Sequence, residues 1–540
     1  AYGTNTTLKF GSHVISSEEG IQQGDPLGPL IFCLSIHPLL QSLSSDFVVG
    51  YMDDITIGGQ ETIVARDVNL IKTMGIASGL HLNIVKCECI TKAQTVSTAP
   101  LDQFVQLDIN NSSLLGAPLS AGVSMDSTLT KRLRELQTAS ERLRLLSAHD
   151  ALVLLKASCG APKLMHMLRC SPCTGHTALP DIDAALRACL VTITNVDIND
   201  DQWKQASLPV KAGGLGIRSV TAIASSAFLA SVFSTQQLQS QLLSRCSFDL
   251  HDHQFDLIFA DWIAKHQPIQ PPAGNSANKQ SSWDKPEVDK TFNSLLMSQP
   301  DDHNKARLLA VSASHSGDWL HALPISSCGL RLDDEAVRVA VGLRLGSNLC
   351  AQHVCPCGAV VDCRGTHGLS CKRSAGRSAR HACINDIVHR ALVRAGVASV
   401  KEPAGMSRTD GKRPDGLTLV PWQAGRNTVW DVTVTDTVAI TYLPSTSVTA
   451  GSAAESAAFR KEGKYRELSV THNFVPIALE TLGPVGAKAR AFLQELGRRL
   501  TRASDDPRES SFLFQRLSVT IQRFNAVCFA GTFADNQLVI

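Results

Sequence analysis

The stretch Phe47-Val48-Val49-Gly50-Tyr51-Met52-Asp53-Asp54-Ile55-Thr56-Ile57-Gly58 decides how this chain of 540 residues is read. Two runs of β-forming residues flank a short polar centre, which predicts a hairpin with carboxylates at its tip. Asp53 and Asp54 stand side by side there, and adjacent carboxylates repel unless a cation lies between them. Hard oxygen donors of this kind suit Mg²⁺ or Mn²⁺. Two such ions clamping the attacking and leaving oxygens serve in-line phosphoryl transfer. A solvated Asp-Asp turn has the same local composition, so the tetrapeptide takes its meaning from its surroundings.

Upstream stands Glu19-Gly20-Ile21-Gln22-Gln23-Gly24-Asp25-Pro26-Leu27-Gly28-Pro29-Leu30. Gly24 permits close approach of the backbone to a flat ligand. Asp25 and Pro26 suit the start of a helix whose apolar positions run from Leu27 to Leu43. Downstream come Gly79-Leu80-His81-Leu82-Asn83-Ile84-Val85-Lys86 and then Leu114-Leu115-Gly116-Ala117-Pro118. In this order the segments resemble the palm of reverse transcriptases of non-LTR retrotransposons. The resemblance implies that Gln23 and Gly24 lie against template and incoming nucleotide. It implies that Asp53 is a metal ligand with Asp54 beside it, that Lys86 lies near the triphosphate, and that Leu115-Gly116 holds the primer end. Palms of this family carry a further metal-binding Asp on an earlier strand. Near Gly24 only Glu18 and Glu19 precede it, and the chain begins at Ala1. The expectation is an N-terminally truncated palm that does not polymerise DNA by itself.

Hydrophobic content of 44% and charged content of 19% are ordinary for globular domains. A net charge of +2 gives no global basic signature, so affinity for nucleic acid must come from local patches. The sixteen cysteines are scattered, which favours free thiols and a metal site over a disulfide framework. No apolar stretch is long enough to cross a membrane. The expected organisation is α+β and multidomain: a partial palm (1–122), a helical thumb and connector (123–263), a linker (264–290), a helical connector (291–349), a zinc knuckle (350–372), a small α/β nuclease unit (373–503) and a C-terminal helical tail (504–540). The thumb reading rests on a stripe of Leu133, Leu136, Leu143 and Leu146, and on a second helix over 151–168 interrupted at Gly160-Ala161-Pro162. The linker rests on Pro268, Pro271, Pro272, Gly274 and the serines after them.

Cys355 and Cys357 are followed by His367 and Cys371. Three thiolates and an imidazole fit Zn²⁺ in tetrahedral number, with Cys350, His353 and Cys363 close enough in sequence to compete. A helix follows, with Ile384, Ile387, Val388, Ala391 and Leu392 on an apolar face. Arg373, Arg377, Arg380, Arg390 and Arg394, with His381 and His389 interleaved, are read as its cationic face.

Beyond it, Pro414-Asp415 and Trp430-Asp431 bracket two β-forming runs and the turn Pro421-Trp422-Gln423-Ala424-Gly425. If that hairpin is symmetric about Gln423, Asp415 and Asp431 fall opposite each other, a destabilising arrangement unless a cation bridges them. Lys461 and Lys464 sit on one face of a later helix. The Asp, Asp and displaced Lys pattern resembles the PD-(D/E)xK nuclease fold. With the knuckle before it, it resembles the restriction-like endonuclease of site-selective non-LTR retrotransposons, in which Glu402 would be an additional acid. The resemblance implies a target DNA, an element RNA as template, and nuclear residence. The sequence thus points to a reverse transcriptase and endonuclease fragment that nicks DNA with divalent metal. A catalytically dead nucleic-acid-binding remnant and an interaction scaffold are the competing readings.

Overall fold

A computed structural model describes residues 6–17, 20–21, 24–91, 96–246, 252–374, 376–404, 406 and 413–533. The fold is mixed α+β, mostly helical, with small sheets. The expected hairpin forms: Phe47–Tyr51 pairs antiparallel with Asp54–Gly58, and Tyr51 faces Asp54 across a two-residue turn. The helix before it spans Gly28–Gln41. The Asp25 carboxylate accepts from the Leu27 N–H at 2.8 Å and fixes the entry to that helix.

Residues 123–349 build the largest apolar core. The helix Val123–Leu143 buries Leu129, Leu136 and Leu143 against the helix Ala178–Thr194, with Leu186 and Leu190 facing them. Leu146, read as part of that stripe, is exposed because the helix ends at Leu143. The interruption expected at Gly160-Ala161-Pro162 is present. A wide turn over Leu155–Cys159 closes with the Gly160 N–H on the Leu155 carbonyl, and a β-carbon at Gly160 would meet that oxygen at 2.7 Å.

The stretch 264–290 does not form the expected linker. Gln280–Met297 is a helix, and its Trp283 is fully buried edge-on to Trp262, ring centres 5.0 Å apart. Each indole N–H finds a carbonyl, Trp283 to Ala277 at 2.7 Å and Trp262 to Trp283 at 3.2 Å. Arg218 forks onto Asp284 at 2.8 and 3.0 Å. The Pro and Gly residues do make turns, but two indoles supply enough apolar surface to pull the segment into a core.

A four-stranded sheet organises the rest. Ser399–Lys401, Gly416–Thr418 and Thr428–Thr435 are successive antiparallel neighbours, and Asn473–Glu480 adds in parallel to the last of them. The parallel pair needs a crossover, and the helix Ser452–Lys464 supplies it. Its buried face is Ala453, Ala454, Ala457 and Ala458, small enough to lie close on Ala478 of the sheet. The helix Gly376–Arg394 covers the sheet with Ile384, Val388 and Leu392, packed with Trp430, Val432 and Ile477. Arg380, read as part of a cationic surface, is instead buried and donates to the Asn525 side chain at 3.0 Å.

Nor is the C-terminal segment a tail. The helix Glu509–Ala530 places Leu513, Phe514, Leu517 and Ile521 in the sheet's core, and Val519, Ala526 and Phe529 in the large helical core.

Candidate functional site

At the hairpin tip Met52 takes a positive φ of 58°, a costly conformation for a side chain of this kind. Asp53 and Asp54 are exposed, and among the described residues neither enters an ion pair or a group of three potential metal ligands. Gly24 has φ 92°, a value that suits glycine; Gln23 lies outside the described residues. Lys86 ends a short helical turn, Ile84–Lys86, and is exposed. Leu115 and Gly116, with φ 49° and 79°, link the two short strands Ser113–Leu114 and Ala117–Pro118. The His166 ring meets the Leu115 carbonyl at 3.0 Å and braces this turn from the helical region. Each described palm residue thus stands at or beside a turn.

The second carboxylate pair comes together. Gly416 is in register with Trp430 and Leu417 with Val429, so the same register carries Asp415 onto Asp431. Gly416 is required there: a β-carbon would come within 1.9 Å of the Trp430 ring. Trp430 in turn is fully buried and donates to the Asn385 side chain at 2.8 Å. The Val432 N–H donates to Asp415 Oδ2 at 2.6 Å. Lys461, on the crossover helix, brings Nζ to 2.5 Å from Asp431 Oδ2. Lys464 is exposed and stands outside that ion pair. Glu402 is tied to the pair through its backbone, its N–H donating to the Asp415 carbonyl at 3.0 Å, while its carboxylate faces Arg413 at 2.9 Å.

The sequence reading missed His381 in this site. It was placed among basic surface residues, yet its Nε2 lies 3.0 Å from Asp415 Oδ2 and 3.1 Å from the Val432 carbonyl. Its only sequence signal was a histidine a few residues before the buried apolar stripe of its helix. The bond to Asp415 raises the His381 pKa above its ordinary value. Burial pushes Asp415 up, but the bond to and charge of His381, the Val432 N–H and the Asp431 contact together outweigh it and hold the carboxyl below the usual range. Burial pushes Asp431 up to about 6, against the pull of Lys461.

These directions set a pH dependence. Groups bound more tightly to their protons in the folded state, Asp431 and His381, stabilise it at low pH and lose that contribution as pH rises through their folded values. Asp415 acts oppositely, and only below its ordinary pKa of 3.8. In metal-free protein the Asp431 contribution should therefore decline between about pH 4 and pH 6 and that of His381 above about pH 6.5, against an opposite contribution from His149, whose pKa burial lowers to about 4, and Asp431→Asn should remove the Asp431 part of the profile. Melting curves across that range check this; a parallel profile for the variant would contradict it.

The four knuckle residues also converge. One ligand atom from each of Cys355, Cys357, His367 and Cys371 lies within 4.8 Å of all the others. Cys355 and Cys371 sulfurs are 3.9 Å apart, and Cys357 Sγ is 3.2 Å from His367 Nε2. Tetrahedral bonds of about 2.3 Å to sulfur and about 2.0 Å to nitrogen separate two sulfurs by about 3.8 Å and a sulfur and nitrogen by about 3.5 Å. The donor set and spacing fit Zn²⁺. The Ala359 N–H holds the Cys357 thiol down to about 6, whereas burial pushes Cys355 up to about 11. The competing cysteines are engaged elsewhere, Cys363 with the Asn348 side chain at 2.9 Å and Cys350 with the Asp362 carbonyl at 3.4 Å.

Against known families, residues 4–105 match the model for reverse transcriptase (RNA-dependent DNA polymerase). The chain therefore contains a reverse transcriptase segment, and with it the expectation of a nucleic-acid template. The match spans Gln23, Gly24, Asp53, Asp54 and Lys86 and ends before Leu115-Gly116. No curated protein matches the chain. No described helix is long and apolar enough to cross a membrane.

Proposed function

We propose that the chain is a retrotransposon-derived reverse transcriptase and endonuclease, in which the C-terminal sheet nicks DNA with a divalent metal. The observation that carries this is the placement of Asp415 opposite Asp431 with Lys461 beside Asp431. Two like charges on one sheet face, Asp431 buried and Asp415 half-buried, are a poor way to stabilise a fold. A hard cation between them removes the cost. Mg²⁺ or Mn²⁺ bound there would polarise the scissile phosphate. The chain's own residues then hold and orient: His381 and the Val432 N–H fix the Asp415 carboxylate, and the Lys461 ammonium stands ready to attract a phosphate oxygen or orient a water. The knuckle, with its zinc, braces the start of the same unit. Target DNA, element RNA and a nuclear setting follow from this reading.

For the palm we propose a vestigial role in this polypeptide. Asp53 and Asp54 have the exposure a metal-bound substrate needs, but among the described residues no third ligand joins them. Purified protein of residues 1–540 should convert supercoiled plasmid to open circles with Mg²⁺ and not with chelator, while extending no primed RNA template. Absence of nicking together with salt-dependent DNA binding would favour the non-catalytic remnant. Template-dependent synthesis would refute the vestigial palm.

A further inference from the structure

The strand Gly416–Thr418 is in register with Thr428–Thr435 only at Gly416 and Leu417, opposite Trp430 and Val429. Asp415 lies one residue before the first of these pairs. The ladder alone therefore does not fix where its carboxylate stands relative to Asp431. The helix Gly376–Arg394 supplies what the ladder lacks. Its Asn385 is 7% exposed and uses both ends of its amide. Nδ2 donates to the Asp415 carbonyl at 3.2 Å, and Oδ1 accepts from the Trp430 indole N–H at 2.8 Å. One side chain thus joins the residue that bears the first carboxylate to the neighbour of the residue that bears the second. His381 stands four residues earlier on the same helix face, where it meets the Asp415 carboxylate and the Val432 carbonyl.

Asn385 works from behind the pair. Successive residues of a strand point to opposite faces. Trp430 packs with Ile384 and Val388 of the helix Gly376–Arg394, while Asp431 faces Lys461 on the crossover helix. The Asn385 amide bonds to neither carboxylate. Stability alone does not call for it, because apolar groups in place of both the amide and the indole N–H would be nearly neutral. Ile384, Val388 and Leu392 already hold the helix on the sheet without a polar atom. What the amide adds is a fixed position: an aspartate could not donate to the carbonyl, and an aliphatic chain could bond to neither partner.

We propose that Asn385 is a positioning residue that sets the spacing of Asp415 and Asp431, and with it the affinity of the pair for Mg²⁺. The proposal rests on the reading of that pair as a cation site. Mg²⁺ demands near-octahedral oxygen bonds of about 2.0–2.1 Å, so play at Asp415 weakens its binding. Replacing a group that orients a metal ligand typically lowers affinity by about 10–100-fold.

Mn²⁺ is titrated into the full chain, with zinc supplied and without DNA, and the free ion is read by electron paramagnetic resonance. Asp431→Asn defines binding elsewhere on the protein. Asn385→Leu, similar in volume and without the amide, should weaken the Asp431-dependent binding by about 10–100-fold. It should raise the Mg²⁺ concentration that half-saturates plasmid nicking by the same factor. Trp430→Phe, which keeps a ring and drops the indole N–H, should shift both in the same direction by less. Melting curves verify that each variant folds; if Asn385→Leu does not, Trp430→Phe decides by the same measures. A contact that only holds the fold would lower melting temperature and the yield of active protein, and leave both metal affinities where they were. That result overturns the proposal and leaves the cation site standing. Failure of both variants to fold assigns the two contacts to the fold and overturns it as well. An unaltered chain without Asp431-dependent Mn²⁺ binding removes the cation site and this proposal together.

Discussion

Asp431→Asn should abolish plasmid nicking, by about 10³-fold or more, while leaving the protein better folded at neutral pH. The activity loss follows from removing a charge that would stabilise the cation at the reacting phosphate, where single electrostatic contacts are worth about 10²–10³ in rate. The stability gain follows from the geometry. At neutral pH the carboxyl, whose pKa is raised to about 6, is ionised inside the sheet opposite Asp415. An amide keeps the volume and drops the like charge. A purely structural role predicts the reverse, because Lys461 would lose the partner it holds at 2.5 Å and the fold would weaken. Lys461→Ala should reduce nicking strongly, and Lys464→Ala should leave it within a few-fold, as Lys464 is outside the pair. Paired nicking rates and melting temperatures at one pH test this. An Asp431→Asn protein that is less stable, or still active, would defeat the assignment of the site.

Removing zinc should have the second large effect. The expected content is one zinc per chain, lost on replacing Cys371 with Ser and retained on replacing Cys363 with Ser. Apparent binding energies for structural zinc in isolated fingers are about 10–16 kcal/mol. Even about a third of that would lower the melting temperature by about 10 °C or more in a unit of this size. The loss should reach beyond the knuckle. Gly368 packs so tightly that a β-carbon would meet the Cys528 carbonyl at 2.6 Å, and His353 stacks on Phe533 with ring centres 4.2 Å apart. Chelation followed by hydrogen exchange should therefore expose amides in Glu509–Ala530 as well as in the loop. Full zinc release without a change in melting would show that the four ligands are not a structural site.

What could be read in the sequence was what depends on short range. The Asp415 and Asp431 facing was legible because a tight turn sets hairpin register; the Trp422 N–H closes it on the Arg426 carbonyl at 2.8 Å. The grouping of Cys355, Cys357, His367 and Cys371 was legible because cysteine and histidine this closely spaced are rare. Lys461 and Lys464 could not be separated, since three residues along a helix share a face and only the tilt of the crossover chooses between them. His381 and Arg380 were misread because their partners, Asp415 and Asn525, are far along the chain. The burial of Trp283 was missed for a related reason: composition described its neighbours, and the aromatic cluster that captures it comes from another helix.

The helix Glu509–Ala530 has one face in each of the two large cores. A ribosome delivers it after the other elements of both. Until it emerges, the sheet and the helical bundle each lack a wall, and neither can close as a finished solvent-excluding body. Both cores are accordingly completed only once this helix has emerged, and a lesion within it would cost two bodies a wall at once.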